Sequence, residues 1–211
     1  MKLPNNIAFA VATAFAASVS ITAATNATEA VCTATNTFAL GDFVEYSGGW
    51  SAANGRVFRL KAASGTSFTL EGLDTTDTSL FPAGAGTGTV RKVTTWVPII
   101  QVTAAEVSGG DGKFVEVPLL DTDMPVSLPD GFTATTVALT IADEKGAPHH
   151  AALKGVSDGV KLTCLRAQLP NNGGLMLYAG YCSFNESPSL GKGNVMAVKA
   201  TFSLQNKVVR Y

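Results

Sequence analysis

Bulky side chains alternate with small or polar ones along several stretches of the chain, and this period of two predicts β-strands. The bulky side chains near the N-terminus are those of Ile7, Phe9, Val11 and Phe15, and alanines separate most of them. Over residues 195–204 one set of alternate positions is polar and the other is mostly apolar. We therefore expect a strand near each end, the second with one face in a core and one face elsewhere.

Turn-forming residues divide the middle of the chain into further short strands. Residues 43–46, 56–60, 67–71 and 89–93 are strand-like, and glycine-containing turns separate them, among them the dipeptide Asn54-Gly55. Short strands at this spacing predict a small β-barrel or sandwich, which we interpret as a subdomain over residues 31–93.

The remainder of the chain has longer strands and one helical candidate. Residues 96–102 and 113–117 flank a glycine-rich stretch that indicates a hairpin tip, and residues 162–169 and 175–183 predict a second hairpin. A further strand is predicted over 137–141, and residues 149–157 form the helical candidate. The chain is therefore predicted to be mainly β.

The N-terminus also has an alternative interpretation. Residues 1–27 have a lysine, an apolar stretch and a small-residue segment, which together could form a secretory signal. The alternation over residues 7–15 favours a strand that remains in the mature protein, because a signal peptide has no period of two. No window is long and apolar enough for a transmembrane helix.

The amino-acid composition limits the kinds of molecule that the chain could bind. Only 15% of the 211 residues are charged, against about 25% in a typical soluble domain, and the net charge is −1. Such a chain has no global basic field to hold nucleic acid. The three cysteines, Cys32, Cys164 and Cys182, are far apart and predict buried, reduced thiols rather than a disulfide framework.

Candidate chemistry is sparse, and we predict that the chain is not an enzyme. His149 and His150 are the only histidines, and neighbours on a helix do not chelate one metal as an i, i+4 pair would. We interpret them as a solvated helix entry, and a hydrolytic site of His149 with Asp143 remains the enzymatic alternative. The glycine-rich segment 82–88 precedes a strand rather than a helix, which favours a flexible loop tip over a phosphate loop. We predict no cofactor and no metal.

A binding module is the main alternative to a structural protein. Trp50 and Tyr46 flank Gly48-Gly49 and could form an aromatic platform for a sugar in a secreted carbohydrate- or surface-binding β-sandwich. Their strand-like spacing favours the core instead.

Several segments, taken in order, resemble the major tail tube proteins of phages with long, non-contractile tails, including prophage relatives. The segments that carry the resemblance include Gly49-Trp50-Ser51, Phe68-Thr69-Leu70-Glu71-Gly72-Leu73-Asp74, Phe81-Pro82-Ala83-Gly84, Leu139-Thr140-Ile141-Ala142-Asp143, Gly180-Tyr181 and the terminal Val209-Arg210-Tyr211.

The resemblance implies an antiparallel β-sandwich with one short flanking α-helix, plus the small β-barrel-like subdomain. Residues 1–30 would supply a strand to the main sandwich, residues 31–93 the subdomain, and residues 94–211 the tube-forming sandwich. It also implies a homo-oligomer of hexameric rings that stack into a DNA-conducting tube of the virion, after assembly in the host cytoplasm. The tape measure protein and the tail terminator or tip proteins would be partners, DNA would pass without specific binding, and no membrane would be involved.

Within this scheme we name two sets of candidate residues. Glu116, Asp121 and Asp123 are candidates for the lumen or for an inter-ring loop. The alternating residues Ile7, Phe9, Val11 and Phe15 are candidates for contacts between subunits, because an N-terminal strand needs a partner.

Overall fold

The fold comes from a computed structural model that describes residues 5–118, 120 and 123–211. Within these ranges are sixteen strands and one helix. In chain order they are β1 (Ala8–Phe15), β2 (Val19–Ile21), β3 (Ala23–Ala24), β4 (Val31–Thr33), β5 (Phe43–Gly48), β6 (Arg56–Ala63), β7 (Ser67–Leu70), β8 (Gly88–Ile99), β9 (Val102–Ser108), β10 (Gly112–Val117), β11 (Val126–Phe132), β12 (Thr136–Ala142), α1 (Pro148–Asp158), β13 (Leu162–Leu169), β14 (Gly174–Ser189), β15 (Ala197–Leu204) and β16 (Val209–Arg210).

Most of the strands belong to one curled antiparallel sheet. Its order is β3-β4-β7-β6-β5-β8-β1-β13-β14-β15-β12-β9, with β2 added to β8 and β16 added to β14. Strands β10 and β11 form a separate two-stranded hairpin. The mainly β prediction is therefore confirmed, and so are the predicted helix and the β13–β14 hairpin.

The N-terminal strand lies in the interior of the sheet. β1 pairs with β8 on one side and with β13 on the other. Phe9 and Val11 are buried in one core, and Ala12 is buried in another. Both faces of β1 are covered, which explains why its residues alternate between large and small instead of between apolar and polar.

The core of the main sandwich lies between two layers of the curled sheet. The first layer, β8-β1-β13 with the start of β14, contributes Phe9 and Leu165, while the second, the end of β14 with β15, β12 and β9, contributes Leu139 and Phe202. The long strand β14 passes from the first layer into the second. Helix α1 packs on this core through Leu153 and Val156.

A second core holds the β2–β7 region against the outer face of the first layer. Trp50, Tyr46 and Phe58 are fully buried in it, together with Cys164 and Leu177 from the main sandwich. The indole Nε1 of Trp50 donates to the Pro82 carbonyl at 3.0 Å, and the Tyr46 hydroxyl donates to the Gly86 carbonyl at 3.0 Å. Both polar atoms of these buried rings therefore have partners.

Two local expectations are wrong. Residues 88–99 form a single strand, and β9 pairs with β12 while β10 pairs with β11, so 96–102 and 113–117 do not form a hairpin. The glycine-rich segment is also not a flexible tip, because Gly86 is buried against Trp50. Residue 93 lies within β8, and the division at residues 30 and 93 remains a prediction. In the part of the chain described, no helix is long and apolar enough to cross a membrane.

Replacing Gly86 by alanine is expected to destabilise the fold. A Cβ at this position would lie 2.5 Å from Cζ2 of Trp50 and 2.7 Å from the Cβ of Ala24. Because the indole is fully buried, the added methyl can be accommodated only by shifting the core, which typically costs about 1–3 kcal/mol. Urea unfolding followed by tryptophan fluorescence measures this loss.

Gly65→Ala is the matched control for Gly86→Ala. Gly65 is exposed, and nothing lies within 4 Å of a Cβ built there. The unfolding free energy of the Gly65→Ala variant should stay within about 0.5 kcal/mol of that of the wild type. Equal stability of the two variants would contradict the packing described around Trp50.

Candidate assembly surfaces

One face of the second layer has no covering element in the described structure. Thr136, Ala138 and Thr140 of β12 lie on the side of the sheet opposite the core residues Val137 and Leu139. The registers of β9, β14 and β15 place further residues on the same side: Ala104, Glu106, Ser108, Tyr181, Ser183, Asn185, Lys199, Thr201 and Ser203. We call this set, with the three residues of β12, the open face.

The open face is made mostly of small polar and neutral side chains. Glu106 and Lys199 are its only charged members, so its formal charges cancel. The hydroxyls of Ser108 and Thr136 are hydrogen-bonded to each other at 2.7 Å across the strand pair. No aromatic ring other than that of Tyr181 interrupts this face. It is a polar surface without the basic cluster that holds nucleic acid.

Strand β9 is an edge strand of the second layer, and its outer side is unpaired among the described residues. The Leu204 amide donates to the Thr135 carbonyl, so the odd-numbered residues of β12 bond to β15 and the even-numbered ones bond to β9. In the β9 register, Ala104, Glu106 and Ser108 therefore bond to β12. The backbone groups of Ala105 and Val107 therefore point away from the sheet, while Thr103 lies at an irregularity in the pairing.

The exposure of β9 is unusual for a strand at the margin of a core. Val107 is 58% exposed, although it lies opposite the fully buried core residue Val137 of β12. An unpaired, partly apolar edge of seven residues is a template for pairing with another chain.

The opposite edge of the second layer is partly covered by the helix. Beyond Tyr181, where its pairing with β13 ends, β14 continues to Ser189. There the Phe184 amide donates to the Ser157 Oγ of α1 at 3.0 Å, and the Phe184 ring packs edge-on to His150 at 5.0 Å. A Lys154–Glu186 ion pair adds a further link.

The β10–β11 hairpin is the most exposed part of the described structure. No residue of either strand is buried, and the hairpin pairs with no other strand. It nevertheless carries large apolar side chains, of which Phe114 is 65% exposed and Leu128 is 51% exposed. Large exposed apolar groups rimmed by polar residues are typical of a surface that contacts another protein.

Comparison with known proteins agrees with an assembly function. A sequence-family model described as "Phage tail tube protein, TTP" matches residues 48–211. The chain belongs to the phage tail tube protein family. It is a structural subunit of the tail tube and is therefore part of the virion. No curated protein matches the sequence.

Two solved structures are similar over part of the chain. One is described as "Virion of native gene transfer agent (GTA) particle", with 10% identity, a TM-score of 0.42 and coverage of 55% of this chain and 88% of that one. The other is described as "Tail of empty GTA particle computed with helical refinement, C6 symmetry", with 9% identity, a TM-score of 0.43 and coverage of 56% and 87%. Structural similarity this weak supports no further statement about the tail tube protein.

The sequence-predicted acidic residues lie on or near the hairpin and not on the open face. Glu116 is an exposed residue of β10, and Asp123 is exposed in the segment that leads into β11. Asp121 lies outside the described residues. The two described positions are on a projecting element of the tail tube protein, and their role at the lumen or between rings remains a prediction.

The four N-terminal candidates lie on or next to a strand that is already paired on both sides. Phe9 is 9% exposed and Val11 is 0% exposed, and both pack within their own chain. Ile7 and Phe15 are partly buried. Contact between subunits through these side chains remains a prediction, and only Ile7 and Phe15 have surface left for it.

The histidine pair is buried, which corrects the expectation of a solvated helix entry. His149 is 2% exposed and His150 is 7% exposed, because the first turn of α1 packs onto the end of β14. Nδ1 of His149 has no hydrogen-bond partner among the described atoms. No group of three or more metal-binding side chains occurs in the described ranges.

The cysteines and the aromatic pair are core residues, as the residue spacing predicted. All three thiols are free and buried, and burial raises the pKa of Cys32 and of Cys182 to about 12. Burial also raises the pKa of Tyr46 to about 12. Because Trp50 and Tyr46 are 0% exposed, they cannot stack on a sugar, and the aromatic platform is contradicted.

The buried histidine makes stability depend on pH. Burial, and secondarily the neighbouring His150, lowers the pKa of His149 below its usual 6.5. In the unfolded chain this imidazole binds a proton as the pH falls through 6.5, whereas the folded state resists protonation. The stabilisation is therefore complete above 6.5 and is lost as the pH falls toward the lowered folded value.

We expect His149→Gln to flatten this pH dependence. The difference in unfolding free energy between wild type and variant should shrink between pH 7 and about pH 5, above the range in which carboxylates titrate. Urea titrations at several pH values measure it. Parallel pH profiles for the two proteins would contradict the buried, neutral imidazole.

The free edge of β9 generates a second prediction, which concerns assembly. Proline at position 105 removes an amide that points away from the sheet, so the subunit should still fold. Pairing of another chain along β9 should be blocked. We expect Ala105→Pro to give folded subunits by circular dichroism that no longer assemble in size-exclusion chromatography and electron microscopy.

Ala105→Val is the matched control, because it keeps the amide and suits a strand. It should assemble like the wild type. Normal assembly of Ala105→Pro would show that the β9 edge does not join subunits.

Proposed function

We propose that six copies of this chain close into a ring, that rings stack into the tail tube, and that the open face lines the channel through which DNA passes. Membership of the tail tube protein family supports the tube. The copy number of six rests on the sequence resemblance alone. The observation that carries the assignment of the channel is the open face: a broad polar sheet surface that no element of the described ranges covers.

The chemistry of the open face suits a conduit. A protein holds DNA by neutralising phosphates, and each lysine or arginine that does so adds affinity and makes binding depend on salt. The open face offers one lysine, Lys199, and one carboxylate, Glu106. Small hydroxyl and methyl groups fill most of the remainder. DNA would slide along such a wall without being retained.

The opposite side of the sandwich suits the outside of a tube. The outer face of the first layer is already covered by the β2–β7 region through the core around Trp50 and Phe58. The two layers enclose the core of the main sandwich between them. If the open face lines the channel, the β2–β7 region decorates the exterior.

The order and direction of the strands support a ring made by sheet extension. The four strands β14, β15, β12 and β9 alternate in direction, because each consecutive pair is antiparallel. β9 of one copy would therefore meet the end of β14 of the next copy in the antiparallel sense, and the alternation would continue around the ring. Closure of this kind removes exposed sheet edges.

We propose no catalytic role for the subunit. Its two histidines and three cysteines are buried. The other proteins of the tail, namely a tape measure protein within the tube and terminator or tip proteins at its ends, are the partners that this function requires. Glu116, Asp121 and Asp123 are proposed as groups of an inter-ring loop.

Thiol labelling of assembled tubes tests which surface faces the channel. The native thiols are buried, so a single introduced cysteine reports its own position. Ser183→Cys places a thiol on the exposed open face. With a maleimide on a bulky polyethylene glycol, we expect fast reaction in dissociated subunits and strongly slowed reaction in tubes, because the reagent can enter only at the tube ends.

Thr78→Cys is the control on the β2–β7 side of the sandwich, where Thr78 is exposed. It should react at similar rates in both states. Equal protection of the two positions, or undiminished labelling of Ser183→Cys in tubes seen by negative-stain microscopy, would overturn the assignment of the open face to the channel.

A further inference from the structure

The end of β14 forms a sheet edge on the side of the second layer opposite β9. The Gln205 amide donates to the Ala179 carbonyl at 3.2 Å, so the odd-numbered residues of β14 bond to β15. Pairing with β13 ends at Tyr181, and among the described residues no other strand pairs on that side of β14 beyond it. The backbone groups of Cys182 and Phe184 therefore point toward the edge where another strand could add.

Helix α1 already occupies one of these backbone groups. The Phe184 amide donates to the Oγ of Ser157, which lies in the last turn of the helix. A partner strand would offer a backbone carbonyl to the same amide. The amide has one hydrogen to donate, so regular strand pairing at Phe184 requires that it leave Ser157.

The two edges of the second layer therefore differ in their protection. The outer side of β9 is unpaired, whereas the end of β14 is partly covered by a helix, which is one of the ways in which proteins prevent edge-to-edge pairing. Sheet extension from copy to copy needs one edge of each kind. Covering the β14 edge alone is therefore sufficient to oppose it.

Several features make α1 a helix of low intrinsic stability. No side chain caps its N-terminus, its first turn has no acidic residue, and its last turn has no basic residue. Gly155 lies in its interior, although nothing lies within 4 Å of a Cβ built there, so packing does not require a glycine. Such a helix depends on its contacts with the sheet and is displaced more easily than a well-capped one.

The residue that follows the helical C-cap is strained. Val160 has a φ of 44°, in the left-handed region that β-branched residues rarely adopt. Its side chain is 75% exposed, so burial does not compensate for the strain. Strained backbone is typical of segments that have a second arrangement. Leu153 is fully buried and anchors the middle of α1, which leaves the last turn as the part that can move.

We propose that α1 regulates ring formation through an autoinhibitory contact. Its last turn holds the Phe184 amide in the free subunit and releases it to β9 of the next copy during assembly. The acceptor is the carbonyl of Ala105 or Val107, whose backbone groups point away from their own sheet. The inference rests on the proposed ring function and adds a regulatory step to it. A contact made only in the free subunit shifts the equilibrium away from the ring, so ring formation requires a higher subunit concentration.

Removing the hydroxyl of Ser157 tests this contact. Ser157→Ala deprives the free subunit of a hydrogen bond that the ring does not contain, and it leaves β9 and β14 unchanged. We expect the critical concentration for ring or tube formation to fall roughly fivefold, the effect of one hydrogen bond. Light scattering and sedimentation measure the critical concentration, and circular dichroism of the free subunits checks that the variant is folded.

Ser64→Ala is the matched control, because the Ser64 hydroxyl likewise accepts a backbone amide, that of Ser67 at 3.1 Å, in the turn between β6 and β7. Its critical concentration should equal that of the wild type. An unchanged or raised critical concentration for Ser157→Ala would overturn the autoinhibitory contact while leaving the tube function intact. Failure of the wild-type chain to form rings or tubes at any concentration would instead contradict the tube function, and the inference with it.

A covalent lock between α1 and β14 should have the opposite effect. Lys154 Nζ lies 2.6 Å from the Glu186 carboxylate across this contact, and a water-soluble carbodiimide converts such an ion pair into an amide. Free subunits are treated with the reagent, and peptide mass spectrometry confirms the 154–186 amide. We expect these locked subunits to form no rings at concentrations where untreated subunits assemble.

Lys154→Arg is the control for the lock. Arginine keeps the ion pair with Glu186, but its guanidinium is not coupled by the carbodiimide, so the treated variant should still assemble. Coupling at the other lysine–carboxylate pairs, such as Lys61 with Glu29, is common to both proteins. Rings formed by locked subunits in the same yield as by treated Lys154→Arg would show that α1 need not move, and would overturn the proposal.

Discussion

The position of β1 between β8 and β13 is the constraint on which the rest of the structure depends. Its large side chains, Phe9 and Val11, fill the core of the main sandwich, while Ala12 lets the second core approach the other face. The Ala12 carbonyl also accepts a hydrogen bond from the buried Thr163 hydroxyl at 2.5 Å. A strand drawn from the N-terminus thus holds both cores together, although it precedes the segment that matches the tail tube family, residues 48–211.

Ion pairs within the chain are distributed unevenly over the structure. Around the second core, several carboxylates are paired within the chain, such as Glu71 with Arg59 and Glu45 with Arg91. For Glu45, burial raises the pKa while the Arg91 guanidinium opposes the shift. On the open face and the β10–β11 hairpin, Glu106 and Glu116 form no ion pair with a described residue. Carboxylates without an ion-pair partner among the described residues therefore occur on the surfaces that we propose for assembly.

Sequence patterns predicted local structure well where one residue period dominated. The alternation in β15 correctly indicated one core face and one polar face, because residues two apart in a strand share a side. The helix was found from its short apolar spacing, and the β13–β14 hairpin from its Asn-Asn-Gly-Gly turn, where Asn171 and Asn172 adopt positive φ. Burial of Trp50 followed from the same strand-like spacing, whereas burial of the thiols followed from three cysteines that are far apart in the sequence and form no disulfide framework.

The sequence by itself determined the mainly β class, most of the strands, the scarcity of catalytic groups and the resemblance to tail tube proteins. These depend on residue type and near-neighbour spacing. Only the tertiary structure decided that β9 pairs with β12 and not with β10, and that His149 is buried. It also decided that β9, β12, β14 and β15 form the uncovered sheet surface. Such features arise when segments distant in sequence meet, and a strand edge or an open face exists only by reference to what the remaining strands have covered.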